Sequence, residues 1–202
     1  MSELITFNTE TAVQKGDYVQ SIDIFTLVDE NDPILKSVAP EFDFGEPVVN
    51  PVEFSSQLVE TCRMKGGFGL AATQVGMLLR VFVMGSGEEY VAMFNPKILE
   101  QSDQETLIAE GCLSFPMLAL KISRPKWVTV EYYDYNGERH ESTFEGLSSH
   151  VVQHELDHLN GICYTDRAKP MSLKMGLKKR SKFNKLVDRY NLAQKVLKTV
   201  GK

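Results

Sequence analysis

The sequence contains little histidine and little cysteine, and what it lacks narrows the classes of protein to which it can belong. Its 202 residues include four histidines and three cysteines. Three widely spaced cysteines, Cys62, Cys112 and Cys163, argue against a disulfide framework and for a reducing compartment, either the cytoplasm or a host cytoplasm if the source is viral. No run of about 18 apolar residues is present, so no membrane span is expected. The first residues lack the basic segment and apolar core of a secretory signal.

Negative charge dominates the chain except at its C-terminal end. The formal net charge is −5 at pH 7. Residues 167–202 nevertheless hold 12 of the 22 Lys and Arg residues but only one of the 27 acidic residues, Asp188. A basic end on an acidic body is typical of binding to a polyanionic partner, although a solvated helix face has the same composition.

The first part of the chain predicts one helix followed by a run of strands. Asn50 is a typical N-cap and precedes a proline, and the Gly66-Gly67 pair is typical of a helix end. Short apolar segments between residues 80 and 144 predict consecutive strands, with a turn at Asn95-Pro96 and a type I′ hairpin at Asn136-Gly137.

Two further helices complete the predicted fold. One extends from about Leu147 to Leu159, and a long basic helix extends from Ser172 to Leu197. Because consecutive strands precede a helix, the order favours an α+β fold, with antiparallel or mixed β-sheets around a central HExxH helix and with an N-terminal and a C-terminal helix. Residues 1–170 are predicted to form a single catalytic domain and residues 171–202 a basic C-terminal helix. No role is assigned to residues 1–20.

The chemistry of the chain is concentrated in one pentad, His154-Glu155-Leu156-Asp157-His158. In a helix of about 3.6 residues per turn, the two histidines lie on one face and both imidazoles can bind one metal ion. Glu155 lies beside the first histidine and can reach a water on that ion. An amphipathic helix that contains two histidines by chance is a poor alternative, because the chain has only four. The pentad therefore predicts a metal site.

A catalytic metal site of this type needs a third protein ligand and one open position. No histidine and no glutamate follow His158, so the third ligand is expected upstream. Cys112 is the best candidate, because Gly111 and Pro116 place it in a segment predicted to be irregular. A buried free cysteine is the alternative. Cys163 follows the helix too closely to be favoured.

A site with two histidines and one cysteine is suited to hydrolysis of an amide or a formamide. A divalent ion lowers the pKa of a bound water towards about 7, and Glu155 can take its proton and deliver it to a leaving amine. The carbonyl oxygen needs donors that are fixed in advance. The side chain of Gln74 and a backbone N–H near Cys112 are candidates. The glycine- and alanine-rich segment around Gln74, Gly67–Gly76, is equally typical of tight packing when taken alone.

Three segments together resemble the three motifs of the peptide deformylase family, in the same order. They are residues 67–74, residues 110–114 and residues 154–161. The resemblance extends over roughly residues 24–190. It implies an enzyme that removes the formyl group from the N-terminal formylmethionine of newly made polypeptides and releases formate. It also implies one divalent metal ion per chain, with Fe²⁺ as the expected native ion and Zn²⁺, Ni²⁺ or Co²⁺ as substitutes.

The resemblance assigns a role to each residue of the reacting centre. Glu155 corresponds to the general acid/base, which assists attack by metal-bound water on the formyl carbon. The side chain of Gln74 and the backbone N–H of Leu113 correspond to the donors that polarise the formyl oxygen. The metal ligands correspond to Cys112, His154 and His158.

The same resemblance assigns the peptide-binding positions. Gly69 and Gly111 correspond to backbone positions that pair with the extended substrate. Phe68 replaces a smaller aliphatic residue of the family, and His150 stands where arginine or an aliphatic residue is common. His150 also lies four residues before the first histidine of the pentad and could be mistaken for a ligand. The positions of the methionine pocket are Phe68, Ile108, Leu147, His150 and Val151.

Two residues are expected to support the metal ligands from behind. Glu110 and Arg124 correspond to such a pair, and a charge-assisted contact between them is expected. Leu147 and Val151 share a helix face with the two histidines of the pentad. That placement suits the floor of an apolar pocket and suits a core position equally well.

The basic end resembles the bacterial form of the family, in which the terminal helix docks on the ribosome near the exit of the peptide tunnel. The expected partners are formylmethionyl peptides, nascent chains and the ribosome, with no membrane or DNA partner and with a monomeric chain. A zinc endopeptidase would use the same pentad but needs a His or Glu ligand after the helix. A non-catalytic ribosome-binding protein would not need Glu155, Gln74 and Cys112.

Overall fold

The computed structural model describes the backbone of residues 23–200 and the side chains of residues 23–194. The predicted leader, residues 1–20, lies outside the described residues. The helices are α1 (Pro51–Met64), α2 (Gly146–Leu159), α3 (Tyr164–Arg167) and α4 (Pro170–Val200), with 3₁₀ turns at Pro33–Lys36 and Ala72–Val75. The strands are β1 (Gly69–Ala71), β2 (Val81–Ser86), β3 (Glu89–Gln101), β4 (Glu105–Cys112), β5 (Phe115–Pro125), β6 (Trp127–Tyr133) and β7 (Arg139–Glu145).

Five strands form the main sheet, in the order β1-β2-β3-β6-β7, and β4 pairs with β5 in a separate hairpin. Every pairing is antiparallel. Because alternate residues of a strand face opposite sides, β2 contributes to two cores. Phe82 shares a core with Leu156 of α2, whereas Val83 shares a core with Leu58 of α1. The two helices thus cover opposite faces of one sheet, and the predicted α+β fold with antiparallel sheets is confirmed.

Helix α2 is central to this arrangement. It contacts strands of the main sheet and both strands of the β4–β5 hairpin. Every residue from Ser149 to Leu159 is buried. Its polar side chains therefore require partners from the surrounding elements, because a buried polar group without a partner is costly.

The turn predicted at Asn95-Pro96 is wrong. Strand β3 continues through it, with an irregular register between Phe94 and Lys97 and a φ of 51° at Asn95. The Asn95 side chain explains why the strand bends without reversing. Its Oδ1 accepts the Phe42 N–H at 2.6 Å, and its Nδ2 donates to the Phe42 carbonyl at 2.9 Å.

The hairpin predicted at Asn136-Gly137 is present, but it is not of type I′. That type needs a positive φ at both central residues, and of these two only Gly137 has one, at 79°. Asp134 stabilises the turn that forms instead. Its Oδ1 accepts the N–H groups of Asn136 and Glu138 at 2.8 and 3.0 Å.

The segment predicted to be irregular around Cys112 is the tip of the β4–β5 hairpin. Strand β4 ends at Cys112, and β5 begins at Phe115. The register shifts between Glu110 and Cys112, where one residue of β4 lies opposite four residues of β5, 116–119. A bulge of this kind re-aims the side chain that follows it, here the Cys112 thiol.

Helix α4 begins by packing on β5 and then leaves the body of the protein. Gly176 lies where the two elements cross, and a Cβ at this position would lie 2.7 Å from Leu120 Cδ2. From Ser181 to Gln194 every residue is exposed. Within residues 23–200, no helix is both long and apolar enough to span a membrane.

Candidate active site

Helix α2 places both histidines of the pentad on one face. Val151, Leu156 and Leu159 anchor the helix on the main sheet, which fixes its rotation. The ring centroids of His154 and His158 are 5.0 Å apart, and both side chains are buried. The helix therefore presents two imidazoles to the same point.

Cys112 reaches this point from the tip of the β4–β5 hairpin. Its Sγ lies 3.2 Å from Nε2 of His158. The candidate ligand atoms of Cys112, His154 and His158 all lie within 4.8 Å of one another. One sulfur and two imidazole nitrogens are donors that Zn²⁺ and Fe²⁺ accept. The three predicted ligands are thus brought together. Among the described residues, Nδ1 of His158 has no hydrogen-bond partner.

Glu155 lies beside the three candidate ligands and faces Gly69. A Cβ at Gly69 would lie 2.4 Å from Glu155 Oε1, so glycine is the residue that leaves space for this carboxylate. Within the described part of the chain, Glu155 Oε2 is buried and has no hydrogen-bond partner. Burial raises the pKa of Glu155 to about 7, although His154 and Arg124 act to lower it. A carboxyl with such a pKa can accept and release a proton near neutral pH.

The side chain of Gln74 is held in a single orientation. The 3₁₀ turn at Ala72–Val75 presents it to the site, and its Oε1 accepts the Ala71 N–H at 2.9 Å. Its Nε2 donates to Ser114 Oγ at 3.1 Å and lies 3.4 Å from Cys112 Sγ. The amide N–H₂ group, and not the carbonyl, therefore faces the candidate metal ligands.

Glu110 connects the two histidines nearest the cleft. Its Oε2 lies 3.0 Å from Nδ1 of His154, and its Oε1 lies 2.8 Å from Nδ1 of His150. Arg124 binds both oxygens, at 2.7 and 3.0 Å, so the predicted ion pair is present as a bidentate contact. Nε2 of His150 in turn contacts Thr106 Oγ1 at 3.0 Å.

These contacts keep Glu110 ionised and orient His154. Burial raises the pKa of Glu110, but the hydrogen bonds from His150, His154 and Arg124 outweigh it and hold the pKa well below its usual value. A carboxylate only accepts hydrogen bonds, so Nδ1 of His154 carries the proton and Nε2 is left as a metal donor.

The pKa values of the two pentad histidines shift in opposite directions. Burial lowers the pKa of His154, but hydrogen bonds with Cys112 and Glu110 raise it to about 10. Burial and the charge of His154 hold the pKa of His158 well below its usual value. The opposite shifts follow from the hydrogen bonds of His154, from burial and from the repulsion between two positive charges at this short separation.

Three supporting residues were not predicted from the sequence. Asp157 accepts Nη1 of Arg124 at 2.7 Å and is also bound by Arg167 of α3. Asp157 lies inside the pentad, and a charged residue on a buried helix must have a cationic partner. That signal was available for Asp157. For Arg167 and for Ser114, which contacts Gln74, the sequence offered none.

A cleft of about 440 Å³ opens beside these groups. Phe68 lies at its mouth with half of its surface exposed. Leu113, Pro116 and Met117 also line the cleft and were not predicted to line the pocket. Ile108 is not among the described residues that line it. The predicted substrate-binding residues that do line it are Phe68, Gly69, Gly111, Leu147, His150 and Val151.

Comparison with known proteins gives independent evidence on the family of this chain. The model of the polypeptide deformylase family matches residues 24–174. A peptide deformylase of Thermotoga neapolitana is 44% identical over 140 residues, which cover 69% of this chain and 84% of the relative.

Solved structures extend the likeness to the fold. The crystal structure of a peptide deformylase from Legionella pneumophila superposes with a TM-score of 0.73 at 31% identity, covering 83% of this chain and 99% of the relative. A Met-Ala-Ser-bound class I type b peptide deformylase from Acinetobacter baumannii superposes with a TM-score of 0.68 at 32% identity, covering 73% of this chain and 99% of the relative. The chain therefore belongs to the peptide deformylase family.

Proposed function

We propose that this chain is a metal-dependent hydrolase that removes the formyl group from the N-terminal formylmethionine of newly made polypeptides. The observation that carries the proposal is the convergence of Cys112, His154 and His158 beside Glu155, at one end of a cleft large enough for a side chain. Membership of the family supports the same activity.

Cys112, His154 and His158 are the residues that would hold the ion. A divalent ion bound there supplies Lewis acidity, which activates water near neutral pH and polarises a carbonyl. Fe²⁺ is the proposed native ion, with Zn²⁺, Ni²⁺ or Co²⁺ as substitutes. A thiolate beside Fe²⁺ is prone to oxidation, so the protein should be purified without oxygen.

Glu155 is the proposed general acid/base. It takes a proton from the water that attacks the formyl carbon and delivers a proton to the departing amine. The C–N bond of the formamide breaks as a C–O bond forms, and the products are formate and a free N-terminus. Gln74 Nε2 and the Leu113 backbone N–H are proposed to donate to the formyl oxygen as negative charge develops on it.

The peptide is proposed to bind as an added strand between Gly69 and Gly111. The methionine side chain would enter the cleft between Phe68, Leu147 and Val151, with His150 held to Glu110 behind it. Ile108 remains a proposed pocket residue, although it lies outside the lining described above. The Met-Ala-Ser tripeptide bound by the Acinetobacter relative supports a formylated tripeptide as the test substrate.

Formate release from formyl-Met-Ala-Ser tests the proposal. Anaerobically purified protein should release formate, and Glu155→Gln should lower kcat by at least about a hundredfold while the metal content stays the same. Glu100→Gln, a change at an exposed carboxylate away from the cleft, is the control and should leave kcat unchanged. A wild-type chain that releases no formate, or a Glu155→Gln variant with unchanged kcat, would overturn the assignment.

Helix α4 is the proposed contact with the ribosome near the tunnel exit, made by a monomeric enzyme in the compartment of translation, the cytoplasm. Its basic, exposed second half suits binding to RNA, which should weaken as salt rises. Removing everything after Pro170 would also remove the packing of Gly176 on β5. Truncation after Asn184 is therefore the cleaner test. It should leave activity on formyl-Met-Ala-Ser intact and weaken co-sedimentation with ribosomes, and equal co-sedimentation would refute the contact.

A further inference from the structure

Helix α4 forms one wall of a second cavity that adjoins the candidate active-site cleft. This cavity, here called the α4 groove, has a volume of about 390 Å³ and lies between α4 and the β4–β5 hairpin. Gly111, Cys112 and Met117 line both the cleft and the α4 groove. The two cavities therefore share a wall at the hairpin tip, next to a candidate metal ligand.

The α4 groove offers apolar surface from both of its sides. Phe183 projects from α4 with 42% of its surface exposed, and Met117 projects from the hairpin with 61% exposed. Phe115 lies between them and is held edge-on against Tyr164, with ring centroids 5.6 Å apart. Large apolar side chains exposed on both walls of one groove are typical of a surface that binds a partner.

Among the residues whose side chains the structure describes, one positive charge in the α4 groove is uncompensated. Lys179 and Arg180 both line it. Arg180 is bound by Glu30 through two contacts of 2.6 and 3.1 Å, which neutralise it and tie α4 to the body of the protein. Lys179 is exposed and has no ion pair or hydrogen bond within residues 23–194. Within this part of the chain, the α4 groove thus presents one free ammonium group above an apolar floor.

We propose that the α4 groove binds the downstream part of the polypeptide substrate and prefers acidic side chains there, through Lys179. This proposal rests on the function proposed above. An extended tripeptide is at most about 10 Å long, so a short substrate is confined to the cleft. A longer chain continues past the hairpin tip, and the wall shared at Gly111 and Met117 leads it into the α4 groove. Helix α4 then acts as a specificity element of the enzyme itself.

The test compares peptides of two lengths and two charges on the metal-loaded full chain. The short peptide is formyl-Met-Ala-Ser, and the long ones carry a further run of either acidic or basic residues after the serine. Lys179→Glu should lower kcat/KM for the acidic long peptide by about three- to tenfold, because an exposed attractive pair becomes a repulsive one. It should raise kcat/KM for the basic long peptide and leave that for the short peptide unchanged.

Lys185→Glu is the matched control, since Lys185 is an exposed lysine of the same helix that does not line the α4 groove. It should change none of the three values by more than about twofold at moderate salt, where distant charges are screened. An equal loss in both variants, or a Lys179→Glu variant that treats both long peptides as the wild type does, would overturn the proposal.

The wild-type chain gives a second measurement that needs no variant. It should prefer the acidic over the basic long peptide at low salt, and this preference should fade as salt rises. No preference at low salt would also overturn the proposal. Formate release from the short peptide keeps the two hypotheses apart, because its absence would refute the proposed function, whereas its presence without any charge preference refutes only the role of the α4 groove.

Discussion

Helices α2 and α4 lie in opposite environments, one buried in the protein and the other largely exposed to solvent. All residues of α2 from Ser149 to Leu159 are buried, including seven polar or charged ones, whereas all residues of α4 from Ser181 to Gln194 are exposed. Most buried polar side chains of α2 are held by partners from other elements. Within the described residues, helix α4 depends on other elements only in its first half, through β5 and Glu30. Changes around α2 should therefore propagate to the site, and changes on the outer half of α4 should remain local.

Glu110 shows how the buried side chains of α2 obtain their partners. It is one carboxylate that serves His150, His154 and Arg124 at once. Asp157 extends the same network to Arg167, just before α4 begins. An intact buried network of this kind contributes more to the free energy of unfolding than the sum of its separate pairs, because removal of one member leaves others unpaired.

Removal of the Cys112 thiol should have the largest effect. Cys112→Ala leaves two imidazoles to hold the ion, so we expect bound metal, measured by elemental analysis, to fall from one ion per chain to a small fraction of that. Since loss of a residue that only supports a ligand already costs about 10- to 100-fold in affinity or activity, kcat/KM should fall by more than about a hundredfold. A chelator applied to the wild type should have the same effect, reversed by added Fe²⁺.

Cys163→Ala is the matched control for that experiment. Cys163 is buried, whereas Cys112 is half-buried, and it lies at the start of α3 and is not one of the three clustered ligands. We expect this variant to keep its metal and its activity. Full metal content in Cys112→Ala would contradict the ligand assignment.

Arg124→Met should lower stability more than any surface change. It leaves Glu110 without its bidentate partner and Asp157 with Arg167 alone. Breaking a buried ion pair in this way costs about 3–5 kcal/mol of unfolding free energy, measured by chemical denaturation. Arg139→Met removes an exposed arginine that pairs with Glu131, and no measurable change is expected. Similar losses of unfolding free energy in the two variants would mean that the buried network stabilises the protein no more than a surface ion pair does.

The same contrast accounts for what the sequence could predict. The pentad and the Asn50 cap are local signals, so α2, the placement of the two pentad histidines on one of its faces and the start of α1 were predicted correctly. The bend in β3 was missed because Asn95 is bound to Phe42, far away in the sequence. Neither residue type nor spacing could reveal that contact.

In the candidate active site, too, contacts between residues far apart in the sequence could not be predicted. Glu155 follows His154 directly in the sequence, so their proximity could be predicted. The hydrogen bond between His150 and Glu110 could not, because it depends on how β4 lies against α2. The partner of Asp157 could be inferred as a type, a buried cation, but not as Arg124 and Arg167 in particular. Met117, with a φ of 61° in the hairpin, had no sequence signal at all.

Gly69→Ala tests how tightly the surroundings of α2 hold Glu155. Its Cβ would lie 2.4 Å from the carboxylate, so Glu155 must move. A displacement of about 1 Å at a reacting group can cost up to a hundredfold, and we expect kcat on formyl-Met-Ala-Ser to fall by about ten- to a hundredfold. Gly111→Ala is the comparison, because its Cβ meets open space. Gly111→Ala should raise KM and change kcat little. If its kcat fell as much as that of Gly69→Ala, a clash between the new Cβ and Glu155 would not be the cause of the loss.

Two substitutions in α4 should have the smallest effects and opposite signs. Asn184→Ala, in the exposed half, should stabilise the chain by at most about 0.5 kcal/mol through helix propensity. Gly176→Ala gains about 1 kcal/mol by the same propensity, but its Cβ would meet Leu120 at 2.7 Å and Leu118 at 3.0 Å. Overpacking costs about 1–3 kcal/mol, so the net change should be a destabilisation of about 1 kcal/mol. Thermal unfolding of both variants measures the difference. If Gly176→Ala were as stabilising as Asn184→Ala, the crossing of α4 and β5 would be loose, and the boundary between the packed and the free half of the helix would lie nearer to Pro170.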